Sequence, residues 1–180
     1  MKKENKILDL FFNEPSKRWG FEEILKKAKI SRPQGAMWLS RLAKERVIKK
    51  IKERGKMPYY ISNYENGSYK IKKRLYALEE FQKHDLLSDL SALESAETVI
   101  LFGSFSRWDW NKNSDIDLFI YGNPEKFDKT AYEKKLHRQI QIFVCKDKDD
   151  LKKFREGFLR NIIEGYLIKG TLDFVRIKNA

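Results

Sequence analysis

Apolar side chains at the start of the chain recur at helical spacing. The first run extends from Ile7 to Phe12 and ends before Pro15, which predicts a helix that stops at that proline. A second short helix is predicted over residues 21–28, after a polar turn. The chain therefore begins with two short amphipathic helices.

A third helix is predicted in the segment SRPQGAMWLSRLAKE. Ser31, followed three residues later by Gln34, matches a capping box, and a proline is tolerated in a first helical turn. Apolar spacing predicts a buried face made of Ala36, Leu39, Leu42 and Ala43. The outward face is then predicted to carry Arg32, Gln34, Met37, Trp38 and Arg41.

A hairpin is predicted directly after this helix. The segment VIKKIKERGKMPYYIS holds two strand-like runs on either side of a turn at Gly55. Five cations crowd into it: Lys49, Lys50, Lys52, Arg54 and Lys56. These side chains give the predicted hairpin a concentrated positive charge.

Residues 63–95 are predicted to form a helical connector. Its apolar positions follow one helix face and are interrupted near His84 and Asp85. The positions are Ile71, Leu75 and Leu78, then Leu86, Leu90 and Leu93. Two interpretations stay open: this face packs against a domain core, or it forms a homodimer helix.

Residues 96–180 are predicted to alternate strands and helices. The apolar run Thr98–Phe102 has the length of a buried strand, and Gly103 and Ser104 follow it at once. After FSRWDWNKN comes a second apolar run that carries Asp115 and Asp117. The predicted unit is therefore a strand, a Gly-Ser turn, a short helix, a loop and a strand with an Asp-x-Asp motif.

The charge of the chain is unevenly distributed. The net charge is +12, and residues 1–74 hold 21 Lys and Arg against 8 Asp and Glu, a balance of +13. Residues 75–180 hold 17 against 18, a balance of −1. A generally basic surface would spread its charge evenly, so the excess in residues 1–74 predicts nucleic-acid binding by the N-terminal part.

Composition narrows the class of protein. No apolar run approaches the roughly 20 residues that a membrane helix needs. Neither a signal-peptide pattern nor a second cysteine besides Cys145 is present, which excludes an intramolecular disulfide and a thiolate zinc cluster. We expect a soluble, cytoplasmic protein that does not associate with membranes.

The Gly-Ser turn and the Asp-x-Asp motif suggest a site for metal and phosphate. Asp115 and Asp117 lie two residues apart on a predicted strand, so both carboxylates point to one face and suit a hard cation such as Mg²⁺. Gly103 allows a sharp turn and a close approach to a ligand, and Ser104 would begin a helix whose free amides favour phosphate. Arg107 is either a further cation beside the phosphates or a surface residue.

The order of elements over residues 1–62 resembles the winged helix-turn-helix fold of DNA-binding regulators. A recognition helix needs polar side chains that reach base edges, which suits Arg32, Gln34 and Arg41. A wing needs cations that contact phosphates, which suits the hairpin lysines and Arg54. The resemblance therefore implies that DNA binds through residues 1–62, although such a module can also mediate protein contacts alone.

The segment LFGSFSRWDWNKNSDIDLFIYG resembles the nucleotidyltransferase family of the DNA polymerase β superfamily, and in particular its minimal nucleotidyltransferases. The ending FLRNIIEGYLIKG resembles the last helix of those proteins. The resemblance implies that Asp115 and Asp117 are catalytic and bind Mg²⁺. It also implies that Gly103, Ser104 and Arg107 bind the nucleotide, with an NTP as substrate or ligand.

Active members of that family carry a third carboxylate on a neighbouring strand. The matching strand is predicted at Gln139–Val144, where Gln139 and Gln141 alternate onto one face and one of them takes the acidic position. A glutamine oxygen coordinates metal but brings no negative charge and is no base. Glu133 and Asp147 are the other acids that could replace the third carboxylate, but nothing in their spacing favours either. The two-metal site is therefore predicted to be incomplete.

The predicted fold class is α/β in the broad sense, more specifically α+β. It comprises a winged helix at 1–62, the connector at 63–95 and a nucleotidyltransferase-like mixed sheet with flanking helices at 96–180. Two functions stay open. One is Mg²⁺-dependent transfer of a nucleoside monophosphate from an NTP to an acceptor hydroxyl, tethered to a DNA-binding domain. The other is a transcriptional regulator or antitoxin-like protein whose nucleotidyltransferase domain is degenerate and binds a nucleotide or a partner protein.

Overall fold

A computed structural model describes residues 3–173, so residues 174–180 of the third predicted region lie outside the described part. The chain divides into two compact units. Unit 1 is Met1–Leu78 with Trp110–Asn113, and unit 2 is Glu79–Asp109 with Ser114–Ala180. The combination of helices with two separate sheets confirms the predicted α+β class.

Unit 1 combines helices with a small antiparallel sheet of strand order β1-β3-β2. Its elements are α1 (Lys3–Asn13), β1 (Trp19–Gly20), α2 (Phe21–Ala28), α3 (Arg32–Lys44), β2 (Ile48–Ile51), β3 (Tyr59–Ser62) and most of α4 (Gly67–Lys83). The predicted helices near the N-terminus, the capping box at Ser31 and the hairpin are confirmed.

An aromatic cluster forms much of the core of unit 1. Phe12 lies edge-on to Tyr69, Tyr76 and Trp110, at ring-centroid distances of 5.2, 5.4 and 6.2 Å. Lys73 is 2% exposed, donates to the backbone carbonyl of Trp110 and lies 4.5 Å from the centre of its ring. Residue 110 of the motif loop is therefore a core residue of unit 1.

Two predictions about buried faces are wrong in part. The buried face of α3 runs through Gly35, Leu39 and Leu42, which leaves Ala36 exposed. On α4, Ile71 and Leu75 are 62% and 52% exposed, because the aromatic cluster draws the helix face of Tyr69, Lys73 and Tyr76 inward. The predicted break near His84 is confirmed, and Leu86, Leu90 and Leu93 are buried as expected.

Unit 2 is built on a mixed four-stranded sheet of order β6-β5-β4-β7. Its elements after α4 are α5 (Leu86–Ser91), β4 (Ala96–Phe102), α6 (Ser104–Arg107), β5 (Ile116–Gly122), α7 (Lys129–Leu136), β6 (Ile140–Cys145), α8 (Lys148–Leu151), α9 (Glu156–Ile163) and β7 (Tyr166–Lys169). β4 is antiparallel to β5 and β7, whereas β6 is parallel to β5 and follows it through α7. Helices flank the sheet, as predicted.

One face of this sheet is covered by aromatic side chains. Phe102 and Phe143 pack edge-on against each other at 5.5 Å, and Phe158 of α9 lies 5.5 Å from Phe102 and 5.0 Å from Phe143. Phe154 stacks on Phe158 and contacts Phe119. Asp117 pairs with Phe102 and precedes Phe119 by two residues, so its carboxylate lies on this same face, near the start of β5.

Two predicted element boundaries in unit 2 are corrected. The strand predicted from Gln139 begins at Ile140, and the predicted last helix ends at Ile163. The chain then forms the strand β7, which pairs with β4. This segment forms a strand because it pairs with β4, which is distant in sequence. Gly165 allows the close approach to β4, since a Cβ atom there would lie 2.7 Å from the carbonyl oxygen of Leu101.

Among the residues that the structure describes, no helix combines the length and the apolar character needed to span a bilayer.

Candidate active site

The turn between β4 and α6 lies against one carboxylate of the Asp-x-Asp motif. Gly103 has φ 71° and ψ −147°, a backbone conformation that residues other than glycine rarely adopt. A Cβ atom at this position would lie 2.2 Å from Oδ2 of Asp117. The missing side chain therefore leaves the room that the carboxylate occupies.

Strand pairing places Asp117 in the middle of the sheet. Asp117 is the second residue of β5, opposite Phe102 of β4 and opposite Gln141 of β6. Asp115 lies directly before β5, two residues earlier, and both aspartates are half-buried. The period of two along an extended chain thus puts both carboxylates on one side.

Burial and like charge act together on Asp117. Burial raises the pKa of the Asp117 carboxyl, and the nearby Asp115 carboxylate raises it further. Arg107 acts in the opposite direction on the same pKa. A pair of neighbouring carboxylates in a partly desolvated position is a place where a bound cation relieves repulsion.

Of the two glutamines considered from the sequence, Gln141 contacts the acidic pair. Its Nε2 donates to Oδ2 of Asp115 at 2.6 Å. Gln139 precedes β6, and its backbone carbonyl accepts from the amide of Ile116 at 2.9 Å. Alternation along the strand treats the two glutamines alike. The register between β5 and β6 distinguishes them, because it pairs Gln141 with Asp117.

The other acids considered from the sequence have structural partners. Oε1 of Glu133 accepts from the backbone amide of Ile140 at 2.9 Å and lies 3.6 Å from Nζ of Lys129. Asp147 caps α8 by accepting from the amides of Asp149 and Asp150. Within residues 3–173 there is no cluster of three or more His, Cys, Asp or Glu side chains that could hold a metal ion.

Ser104 and Arg107 lie on α6, which begins directly after the glycine turn. Ser104 is half-buried, and its backbone carbonyl accepts from the amide of Asp109 at 3.1 Å. Arg107 donates from Nη1 to Oδ1 of Asn161 at 3.0 Å and from Nε to Oδ2 of Asp109 at 3.3 Å. Asn161, on α9, carries no signal in the sequence that would have placed it here.

The donor set suits one magnesium ion. Mg²⁺ in nucleotide sites is usually bound by one or two carboxylates together with phosphate oxygens. Asp115 and Asp117 supply two carboxylates, and the lack of a side chain at Gly103 gives the Asp117 carboxylate its room beside the turn. Gln141, the partner of Asp117 on β6, adds an amide and no further negative charge.

The predicted base-reading residues of α3 have partners in unit 1. Oε1 of Gln34 accepts from the amide of Ser31 at 3.5 Å. Arg32 pairs with Glu22, and Nε of Arg41 lies 2.7 Å from Oε1 of Glu45. These partners compete with any ligand for the three side chains.

The cations of the hairpin are all exposed. Lys56 pairs with Glu53 at 2.5 Å, and Lys50 lies 5.9 Å from the ring centre of Tyr60. Within residues 3–173 no salt bridge engages Lys49, Lys52 and Arg54.

Comparison with known proteins bears on unit 2. A family model described as nucleotidyltransferase domain matches residues 83–173, just over half of the 180 residues. No curated protein matches the chain. The matched span contains the glycine turn, both aspartates and β6, and the chain therefore belongs to the nucleotidyltransferase domain family.

Proposed function

We propose that unit 2 binds a nucleoside triphosphate together with Mg²⁺ and transfers its nucleoside monophosphate to an acceptor hydroxyl. The observation that carries this proposal is the close approach of the Asp117 carboxylate to the glycine turn at Gly103, next to Asp115. Family membership supports a reaction on NTPs.

Each residue has a role in this proposal. Asp115 and Asp117 would hold the magnesium ion, which neutralises charge on the triphosphate when bound. Gly103 lets the triphosphate approach the backbone of the turn, and Ser104 offers a hydroxyl beside it. Arg107 adds a positive charge that acts on Asp117, and its bond to Asn161 limits the positions that its guanidinium can adopt.

The transfer itself needs few groups. The oxygen of the acceptor hydroxyl forms a bond to the α-phosphorus, and the bond from that phosphorus to the pyrophosphate oxygen breaks. Pyrophosphate leaves with the electron pair, and the hydroxyl proton passes to water. The residues of the site contribute by holding the phosphates in line and by balancing their charge.

Binding and transfer can be tested separately. Calorimetry with Mg²⁺ and each of the four NTPs should show binding to the wild type and its loss in the Asp115→Asn/Asp117→Asn double variant. Transfer of label from α-³²P NTPs should likewise depend on both aspartates. Equal binding by the wild type and the double variant would reject the proposal.

We further propose that residues 1–62 form a winged helix that binds DNA. Support comes from the antiparallel sheet with its hairpin and from the +13 balance of residues 1–74. Further support comes from three exposed hairpin cations that have neither a salt bridge nor an aromatic-ring contact among the described residues: Lys49, Lys52 and Arg54. The hairpin is the better supported contact, since the polar side chains of α3 have intramolecular partners.

Selection of DNA fragments by the full chain, repeated over a range of salt concentrations, tests this second proposal. Phosphate contacts release counterions, so affinity should fall steeply and linearly on a log–log plot against salt. Absent or salt-independent binding would contradict it.

One observation favours the alternative of a regulator that holds a nucleotide without rapid transfer. Gln141 faces Asp115 where a third acid would assist transfer. Binding of Mg²⁺ and NTP without transfer of label, combined with DNA binding, would identify the protein as such a regulator.

A further inference from the structure

We infer that Gln141 restricts the acidic site to one divalent cation, so that an NTP is bound but transferred slowly. The inference rests on the proposed NTP site and concerns the second cation only. Its basis is the position of one amide side chain on β6.

Position 141 is fixed by the sheet. Gln141 is the Cα partner of Asp117 across the parallel pair β5–β6, and residues paired in this way project from the same face. Its Nε2 reaches Oδ2 of Asp115 at 2.6 Å. Gln141 therefore lies beside both aspartates, and no other residue of β6 has a hydrogen bond to either among the described residues.

The chemistry of the amide suits a site with two acids. An ionised carboxylate only accepts hydrogen bonds, whereas an amide nitrogen donates them. Gln141 therefore stabilises the Asp115 carboxylate without any metal. An acid of the same length would place a third negative oxygen against Asp115, and a further cation would be needed to relieve the repulsion.

The site has no substitute for the absent third charge among residues 3–173. Glu133 is held by the backbone amide of Ile140, and Asp147 is held by the start of α8. Two carboxylates beside the triphosphate supply protein ligands for one divalent cation, and a second cation about 3.5–4 Å away would need a protein ligand of its own. A base that could take the proton of the acceptor hydroxyl is also lacking at position 141.

The experiment compares the full-length wild type with Gln141→Glu, which changes one amide nitrogen to oxygen at constant length. Gln139→Glu is the matched control, since it adds the same charge two residues earlier, directly before β6, at a side chain that has no hydrogen bond to Asp115 among the described residues. Bound Mn²⁺ is counted by electron paramagnetic resonance in the presence of α,β-methylene NTPs. Thermal unfolding is measured in chelator and in Mn²⁺, and label transfer from α-³²P NTPs is measured in parallel.

We expect one Mn²⁺ per chain in the wild type and in Gln139→Glu, and two in Gln141→Glu. The unfolding midpoint of Gln141→Glu should be below that of both other proteins in chelator and should rise most on adding Mn²⁺. Its transfer rate should increase by about 100-fold, the low end of what a positioned base contributes. Should Gln141→Glu fail to fold, Gln141→Asp carries the charge on a shorter side chain that withdraws from Asp115.

Two Mn²⁺ ions in the wild type, or one ion in the acidic variants at position 141, would overturn the inference and leave the proposed function standing. Failure of the wild type to bind Mn²⁺ with any of the nucleotides would overturn the proposed function, and the inference with it. Equal gains in both glutamate variants would show a general charge effect and would also overturn the inference.

Discussion

Replacing Gly103 by alanine tests the geometry on which the proposed function depends. The substitution adds a single methyl group, and it does so at the contact between the turn and the acidic pair. That methyl carbon would lie 2.2 Å from Oδ2 and 3.1 Å from Cγ of Asp117. Ordinary van der Waals contact begins at 3.4 Å, so the carboxylate must retreat by at least 1.2 Å.

Two costs follow from the structure. The backbone of Gly103, at φ 71° and ψ −147°, lies in a region nearly exclusive to glycine, which costs another residue about 1–3 kcal/mol. Moving the Asp117 side chain off its preferred rotamer adds about 0.5–1.5 kcal/mol. We expect Gly103→Ala to lower the free energy of unfolding by about 1.5–4.5 kcal/mol, the sum of these two effects. A displacement of this size in a reacting site reduces activity by about 100-fold.

The assay has two parts and one matched control. Urea unfolding followed by circular dichroism gives the stability, and calorimetry with Mn²⁺ and α,β-methylene ATP gives the affinity. Gly55→Ala is the control, because Gly55 also has a positive φ of 74° but has no atom within 4 Å of an added Cβ. It should cost about 1–2 kcal/mol from the backbone alone and leave the affinity unchanged.

Binding of the metal–nucleotide pair by Gly103→Ala as tight as that by Gly55→Ala would contradict this prediction. Loss of stability with full affinity would mean that the Asp117 carboxylate can move away from Gly103 without consequence for the ligand. The close contact would then be incidental to the function of the site.

Three further predictions address other parts of the chain. Arg107→Ala should weaken NTP binding by about tenfold, as expected for the loss of a charge-assisted bond of about 1.5 kcal/mol, and Arg107→Lys should keep part of the affinity; calorimetry that shows no change in either would remove Arg107 from the site. Alanine at the three hairpin cations that have neither a salt bridge nor an aromatic-ring contact among the described residues, Lys49, Lys52 and Arg54, should make the slope of log affinity for DNA against log salt less steep. The slope should change by about 0.9 for each phosphate that the hairpin no longer neutralises, whereas an unaltered slope would argue against binding of DNA by the hairpin. Burial raises the pKa of Tyr69 to about 12 from its ordinary 10, so between pH 10 and 12 the unfolded chain loses this proton first and stability falls as pH rises. Tyr69→Phe loses the bond to the carbonyl of Phe11 but has no such proton, so its deficit in urea midpoint against the wild type should narrow from pH 9 to pH 11, and a constant deficit would contradict this.

Local features of the sequence determined much of the candidate site. The period of two between Asp115 and Asp117 places their carboxylates on one side of an extended segment, whatever the rest of the chain does. A glycine directly after an apolar strand likewise predicts a sharp turn at Gly103. Helical spacing of apolar residues and the capping box at Ser31 predicted the helices near the N-terminus correctly. These signals also act within a few residues of the chain.

Contacts between distant segments decided the remainder. Alternation along β6 left Gln139 and Gln141 equivalent, and only the register with β5 assigned Gln141 to the side of Asp117. Helical spacing predicted a buried face through Ile71 and Leu75, but an aromatic cluster completed by Trp110, from nearly forty positions further along the chain, buried another face of α4.

The approach of Asn161 to Arg107 and the change from helix to strand after Ile163 have the same origin. Spacing along the chain determines which side chains share a face, because that depends only on local backbone geometry. Which faces meet depends on the packing of segments that are far apart in sequence, and a local pattern does not specify those partners.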